Sequence, residues 1–409
     1  MQFRPYNPER DKEGARRIWR ETGWLHKDRE ESMDLHVECS RALVAEVSGE
    51  AECLVTTTPG TIRYLDEDLP LSCVTAVTTS RVARKQGLAK RLTALAVAAD
   101  AAEGALVSGL GMFEQGYYDQ LGFGTGPYEH WVGFDPGTLK VRVTARIPRR
   151  LTADDWNMVH QSRLNRMRGH GSCNLTPPEM TKSAMVHGEK AFGLGYCDGP
   201  NAELTLHFWC GAEDVGSGPY NIDWIAYQTP EQFVELMALL RGFGDQVRLV
   251  RMDEPQGIQL QDLIERPFLR QEIGEKGKYE TRIEAGAWRQ FRICNLPGCL
   301  ERTHLPGDPV RFNLSLTDPV ASALEPDAPW RGVAGGYVVT LGPSSAAQPA
   351  TDPALPTLRA SVNAFTRMWL GVRPPTGLAV TDNLSGPREL LEQLDWTLRL
   401  PKPTPGWSF

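Results

Sequence analysis

No stretch of this 409-residue chain is apolar for long enough to cross a bilayer, and no long run of lysine and arginine occurs in it. The first absence argues against a spanning helix, because the best apolar run, residues 92–99, falls far short of the roughly 20 residues a bilayer needs. The second, with a net charge of -7, argues against a dedicated nucleic-acid binder, whose footprint is a basic patch. Behind Met1-Gln-Phe-Arg-Pro-Tyr6 there is no apolar segment of signal-peptide type, so a cytoplasmic protein with no membrane association is expected. The eight cysteines are scattered without a Cys-x-x-Cys, and the eight histidines lack His-x-x-x-His spacing. Reduced, buried thiols and no metal are therefore expected.

What is present centres on residues 71–99. Leu71-Ser-Cys-Val-Thr-Ala-Val-Thr-Thr79 is rich in β-branched residues and free of glycine and proline, the composition of a half-buried strand. After Arg84-Lys-Gln-Gly-Leu-Ala89 the period changes: Leu88, Leu92, Leu95, Ala96 and Ala99 share one face of a helix. A strand, a basic glycine turn and a helix in this order suit anion binding, since the first N–H groups of a helix have no internal partners. Gly87 lets the backbone approach a ligand, and Arg84, Lys85 and Lys90 add positive charge. An ordinary strand-to-helix turn is the alternative. Arg-x-x-Gly recurs at Arg20, Arg168 and Arg241, but only Arg84 has Gly or Ala at the sixth place and a strand ahead of it. In this context Arg84-x-x-Gly-x-Ala resembles the pyrophosphate loop of GNAT acetyltransferases, where main-chain amides cradle the diphosphate of acetyl-coenzyme A.

Around this unit, residues 1–148 read as a mixed α/β domain. Helices are predicted from Pro8 and Glu30 and strands at 41–47, 52–58, 61–65 and 104–110, with Pro59-Gly60 as a hairpin turn. Tyr117-Tyr118-Asp-Gln-Leu121 makes one helical turn closed by Gly122. Tyr118 stands where GNAT enzymes keep a tyrosine that protonates the departing thiolate, a transfer that suits a phenol with pKa near about 10. The alternative is that Tyr118 and Phe123 are core aromatics. Residues 149–286 open with a capped helix entry, Thr152 followed by Asp155, and carry strands at 201–210, 221–226 and 246–252 and a helix entered by Thr229-Pro-Glu. Arg168-Gly-His-Gly-Ser-Cys173 follows a helix and lacks the cofactor signature, so this region resembles a degenerate GNAT domain without catalysis. Residues 287–409 read as a small α+β domain with strands at 310–316 and 335–341, a Pro, Ser and Ala-rich hairpin loop at 342–356, and helices at 362–371 and 387–399.

Three features together resemble the Eis family of acetyltransferases, named for enhanced intracellular survival. They are Val74-Thr-Ala-Val-Thr-Thr-Ser-Arg-Val-Ala-Arg-Lys-Gln-Gly87 with Tyr118-Asp-Gln-Leu-Gly-Phe-Gly124; Trp288-Arg-Gln-Phe-Arg-Ile-Cys-Asn-Leu-Pro297 with Met368-Trp-Leu-Gly371; and the tail Trp407-Ser-Phe409. The resemblance implies two fused GNAT domains, the second degenerate, followed by a sterol-carrier-protein-like α+β domain. It implies acetyl-coenzyme A as co-substrate, a small-molecule or peptidyl amine acceptor of aminoglycoside or lysine type, and a hexamer. On this chain it makes the α-carboxylate of Phe409 the general base and Tyr118 the acid. Val77, Thr78 and Thr79 meet the pantetheine; Arg84, Lys85, Gln86, Gly87, Leu88, Ala89 and Lys90 wrap the pyrophosphate; Phe113 and Glu114 lie beside the cofactor.

Three prolines at 401, 403 and 405 stiffen the tail and lower the entropy cost of fixing its end, and Trp407 and Phe409 offer apolar anchors. A frayed terminus is the alternative. Two features depart from the family pattern: Trp-Ser precedes the terminal aromatic where an acidic residue is usual, and Ser80-Arg-Val-Ala replaces a Pro-containing turn. Asp28, Glu30, Glu31 and Asp34 either line an amine-binding mouth or form a solvated helix face. A non-enzymatic lipid carrier built on the third domain, or a transferase of longer acyl groups, are the competing functions.

Overall fold

The computed structural model describes residues 1–25, 29–188, 190–267 and 278–409. The chain forms two compact units, one of residues 1–127, 169–177 and 287–409 and one of residues 128–168 and 178–286. Units in space thus do not follow blocks of sequence.

The first unit opens with β1 (Gln2–Pro5), α1 (Pro8–Thr22), α2 (Glu30–Glu38), β2 (Arg41–Val47), β3 (Glu50–Tyr64) and β4 (Glu67–Thr79). Asn7 caps α1, its side chain accepting from the Glu9 N–H, and Gly23 ends it in the left-handed conformation. After a 3₁₀ turn at Arg81–Ala83 come α3 (Leu88–Ala102), β5 (Val107–Gly111) and β6 (Gly124–Thr125). The strands lie in the order β1-β2-β3-β4-β5, then Arg289–Ile293, then β6, and Cys173–Leu175 adds to β3. The α3 face packs Val55, Val74, Leu88, Leu92, Ala96, Leu110 and Phe123. The α1 and α2 face packs Ile18, Trp19, Met33, Val37, Leu54 and Ala76. Each face is a single apolar layer between sheet and helix.

The predicted hairpin at Pro59-Gly60 is not formed. β3 runs straight through both residues, and the chain reverses at residues 65–66, with Leu65 left-handed at φ 51°. The cause is the neighbouring strand Cys173–Leu175, which pairs with Gly60, Thr61 and Ile62. Thr176 N–H donates to the Pro59 carbonyl, and a Cβ on Gly60 would lie 2.0 Å from the Asn174 carbonyl oxygen. Glycine is there for a close backbone approach, not for a turn.

A separate sheet within the same unit has the order Ala346–Pro349, Gly335–Leu341, Val310–Thr317, Thr357–Ser361, Leu384–Ser385, with helices Val362–Trp369 and Arg388–Thr397. The stretch predicted as a loop at 342–356 holds the edge strand of this sheet. The second unit is a seven-stranded sheet in the order Arg282–Gly286, Glu129–Phe134, Val250–Asp253, Tyr220–Ala226, Leu206–Ala212, Ala191–Tyr196, Arg149–Leu151. Its core centres on Phe208, Leu236, Met237, Leu240 and Val250. Among the described residues no helix is long and apolar enough to cross a membrane.

Candidate active site

β4 and β5 run parallel from Leu71 beside Val107 to Val74 beside Leu110, and there the pairing stops. Beyond Val74, β4 continues to Thr79 paired only with β3 among the described residues, so its other edge faces an opening in the middle of the sheet. Val77 and Thr79 are half-buried although they sit mid-sheet, and the Thr78 hydroxyl is buried without a hydrogen-bond partner. Among residues 77–79, the main-chain groups that do not point at β3 are thereby left for an extended ligand to pair with, as an added strand would.

At the carboxyl end of β4 the chain turns through Ser80 and the 3₁₀ segment into a basic loop. Arg84, Lys85, Gln86 and Gly87 are exposed there. Gly87 occupies the N-cap of α3 with φ 77° and gives it no side-chain cap, and Lys85 is left-handed at φ 62°. The N-cap glycine thus offers no side chain to the first N–H groups of a 15-residue helix, at Leu88 and Ala89, while the Lys90 backbone N–H lies against the Tyr117 phenol. An opened sheet leading to an uncapped helix start fits a ligand with an extended arm and an anionic end.

The turn carrying Tyr118 follows β5. It is a 3₁₀ turn at Tyr118–Leu121 closed by Gly122 at φ 83°. Residues far along the chain clamp it: Asn363 Nδ2 donates to the Asp119 and Phe123 carbonyls at 3.0 and 2.8 Å, Gln290 Nε2 donates to Asp119 at 2.9 Å, and Arg292 donates to the Leu121 carbonyl. Tyr118 packs edge-on against Tyr117 and Phe123. Burial, with smaller contributions from Tyr117 and Cys53, raises its phenol well above the ordinary value, so it is a neutral O–H donor at pH 7. The same surroundings push the Cys53 thiol up to about 12.

Phe409 lies on the bare face of β5. An ideal Cβ on Gly111 would be 2.7 Å from a Phe409 terminal oxygen, and one on Gly109 would be 3.5 Å from the Phe409 ring. The Arg289 guanidinium sits 5.3 Å from that ring and donates to the Trp407 carbonyl. Upstream, Cys173 N–H donates to the Pro405 carbonyl at 2.8 Å, Thr404 N–H donates to His170 O at 3.0 Å, and Trp407 is buried. Within Arg168-Gly-His-Gly-Ser-Cys173, the segment that lacks the cofactor signature, His170 and Cys173 thus hold the tail. Phe113 is 85 % exposed with its ring 5.7 Å from Trp24, and Glu114 is exposed beside it.

The acidic run divides. Asp28 lies outside the described residues, and Glu31 is exposed. Asp34 pairs with Arg16 at 2.6 Å and Lys12 at 2.9 Å, and Glu30 with Arg16 at 3.0 Å and Arg20 at 2.5 Å. Burial pushes the Asp34 carboxyl up, but hydrogen bonds from Arg16 and Lys12 outweigh it and hold the pKa below its ordinary value. Both carboxylates are engaged by α1. Among the described residues no group of His, Cys, Asp and Glu is placed to hold a metal ion.

Residues 3–126 match the family of acetyltransferase (GNAT) domains. This part of the chain is a GNAT domain. GNAT domains use acetyl-coenzyme A as co-substrate, and the protein is an acyltransferase. No curated protein matches it in sequence. Its fold is shared over nearly the whole length with solved structures of low identity. A conserved protein of unknown function from Enterococcus faecalis, described as a probable N-acyltransferase, has 16 % identity and TM-score 0.79, covering 100 % of this chain and 99 % of that one. A GCN5-related N-acetyltransferase from Anabaena variabilis has 12 % identity and TM-score 0.77, covering 98 % of each. Eis1 from Mycobacterium abscessus has 14 % identity and TM-score 0.75, covering 100 % of each. The likeness to Eis1 is one of fold.

Around the GNAT signature, sequence reasoning missed Gly109 and Gly111, which bare the face of β5 that receives the tail, and Arg292, Gln290 and Asn363, which clamp the Tyr118 turn. A Gly-x-Gly within a strand was the available signal for the first pair.

Proposed function

We propose that the chain is an acetyl-coenzyme A-dependent N-acetyltransferase acting on a primary amine, of aminoglycoside or lysine type, by direct transfer with both substrates bound. The observation that carries this reading is the terminal oxygen of Phe409 lying over Gly111, at the strand end where β4 and β5 part. Acetyl-coenzyme A, when bound, supplies the acetyl group as a thioester. Residues 77–79 pair with the pantetheine arm through the main chain, while the loop Arg84, Lys85, Gln86, Gly87 and the N–H groups of Leu88, Ala89 and Lys90 hold the diphosphate. The Phe409 carboxylate takes a proton from the amine nitrogen as the C–N bond forms. The Tyr118 phenol gives its proton to sulfur as the C–S bond breaks, and N–H groups at the end of β4 stabilise negative charge on the carbonyl oxygen. Holding both substrates together supplies rate through orientation.

The test is coenzyme A release from acetyl-coenzyme A with aminoglycosides, polyamines and lysyl peptides, comparing the whole chain with one lacking Phe409. Loss of one residue moves the carboxylate by about 3.5 Å, and turnover is expected to fall at least about a hundredfold. Equal turnover in both proteins removes the terminal base.

A further inference from the structure

The β3–β4 ladder carries one extra residue. Thr56 pairs with Ala76 and Thr57 with Val74, so Thr75 is bulged, at the point where β4 leaves β5. Continuing the β4–β5 register one step past Val74 and Leu110 sets Thr75 level with Gly111, the residue against which the Phe409 terminal oxygen lies. Bulges commonly re-aim a side chain next to an active site. Thr75 is half-buried, and its hydroxyl joins a chain of hydrogen bonds on the α2 side of the sheet.

That chain has a forced direction. Ser40 Oγ lies 2.8 Å from the His36 carbonyl, which can only accept, so the single Ser40 proton is spent there. The Thr58 hydroxyl, 2.8 Å from Ser40 Oγ, must therefore donate to it. Thr75 must then donate to Thr58 at 3.1 Å, and Thr56 to Thr75 at 3.0 Å. His36 Nε2, 3.3 Å from Thr56, is left as the N–H donor. Burial pulls the His36 pKa down to about 4, so the ring is neutral and carries one proton, and it packs edge-on against Trp19. Thr75 thus has no proton to offer a ligand and one lone pair still open.

Resting on the acetyltransferase reading above, we propose that Thr75 Oγ1 is a positioning group for the acceptor, taking a hydrogen bond from the N–H of the amine nucleophile across the cleft from the Phe409 carboxylate. A locked acceptor suits an amine and disfavours a carbonyl oxygen in the same place. It orients the nucleophile without taking up its proton, which goes to the carboxylate.

The test uses the full chain in two arms. In steady-state kinetics with the best amine of the panel, Thr75→Val is expected to lower kcat/KM for the amine about tenfold, mainly through KM, with acetyl-coenzyme A affinity unchanged, and Thr75→Ser to stay within about twofold of the parent. Thr75→Val at parental efficiency, or Thr75→Ser as poor as Thr75→Val, overturns the assignment. In the second arm, nitrogen-resolved NMR of the histidines is expected to find His36 neutral and protonated at Nε2 in the parent chain. A proton at Nδ1 breaks the directional argument whatever the kinetics. A parent chain that binds acetyl-coenzyme A yet releases no thiol with any amine overturns the acetyltransferase reading and takes the assignment with it, whereas an active parent with an indifferent Thr75→Val overturns the assignment alone.

Discussion

Replacing Asp318 by alanine leaves a guanidinium in the core with no counter-charge. The Arg292 and Asp318 side chains are fully buried, with Nη2 2.6 Å from Oδ2, and the same carboxylate accepts the Val320 and Val333 N–H groups at 3.1 and 2.9 Å. Breaking a buried pair from one side costs about 3–5 kcal/mol, because the remaining charge has lost its partner without regaining water. At about 2–4 °C for each kcal/mol in a unit of this size, Asp318→Ala is expected to melt roughly 6–20 °C lower. Asp318→Leu combined with Arg292→Met, which removes both charges, is expected to cost less than either single change. Urea unfolding of the parent, the two singles and the double completes the cycle. Arg292 also donates to the Leu121 carbonyl, so in the folded fraction of Arg292→Met the Tyr118 turn loosens and kcat falls while acetyl-coenzyme A affinity holds. A cost below about 1 kcal/mol for Asp318→Ala refutes the reasoning.

Gly60→Ala drives a Cβ to within 2.0 Å of the Asn174 oxygen and should part Cys173–Leu175 from β3, read as lost hydrogen-exchange protection at Thr176 and destabilisation of at least about 3 kcal/mol. Tyr118→Phe should lower kcat about 10²- to 10³-fold with acetyl-coenzyme A affinity unchanged, measured by single-turnover kinetics and calorimetry. His207 is buried against Ser162 and Trp224, and burial with the Arg163 charge pulls its pKa down to about 3. Because the unfolded imidazole titrates near about 6.5, stability is full above that pH and falls by on the order of 1.4 kcal/mol per pH unit as pH drops toward 3. His207→Gln should flatten that slope in urea unfolding between pH 7 and 4.

The strand, glycine turn and helix at residues 71–102 were legible because each signal is local. β-branched alternation, a left-handed residue at Gly87 and a 3.6-residue apolar face are decided within a few positions. The turn at Tyr118 with Gly122, the capping box at Thr152 and Asp155, and the helix opened by Thr229 and Pro230 were readable for the same reason.

What the tertiary structure decided is where distant segments meet. Arg289–Ile293 enters the first sheet between β5 and β6, pairing antiparallel with both through the main chain, and nothing local announces those partners. Pro59-Gly60 carries turn chemistry, yet pairing with Cys173–Leu175 keeps it extended, since the ladder gained outweighs a local preference worth about a kcal/mol. The acidic residues Glu30 and Asp34 look free to bind amines until α1 brings Arg16 and Arg20 beside them. The direction of the Ser40–Thr58–Thr75–Thr56–His36 chain is set by one carbonyl that can only accept. Sequence fixes which atoms can donate; only the fold fixes which of them have already done so.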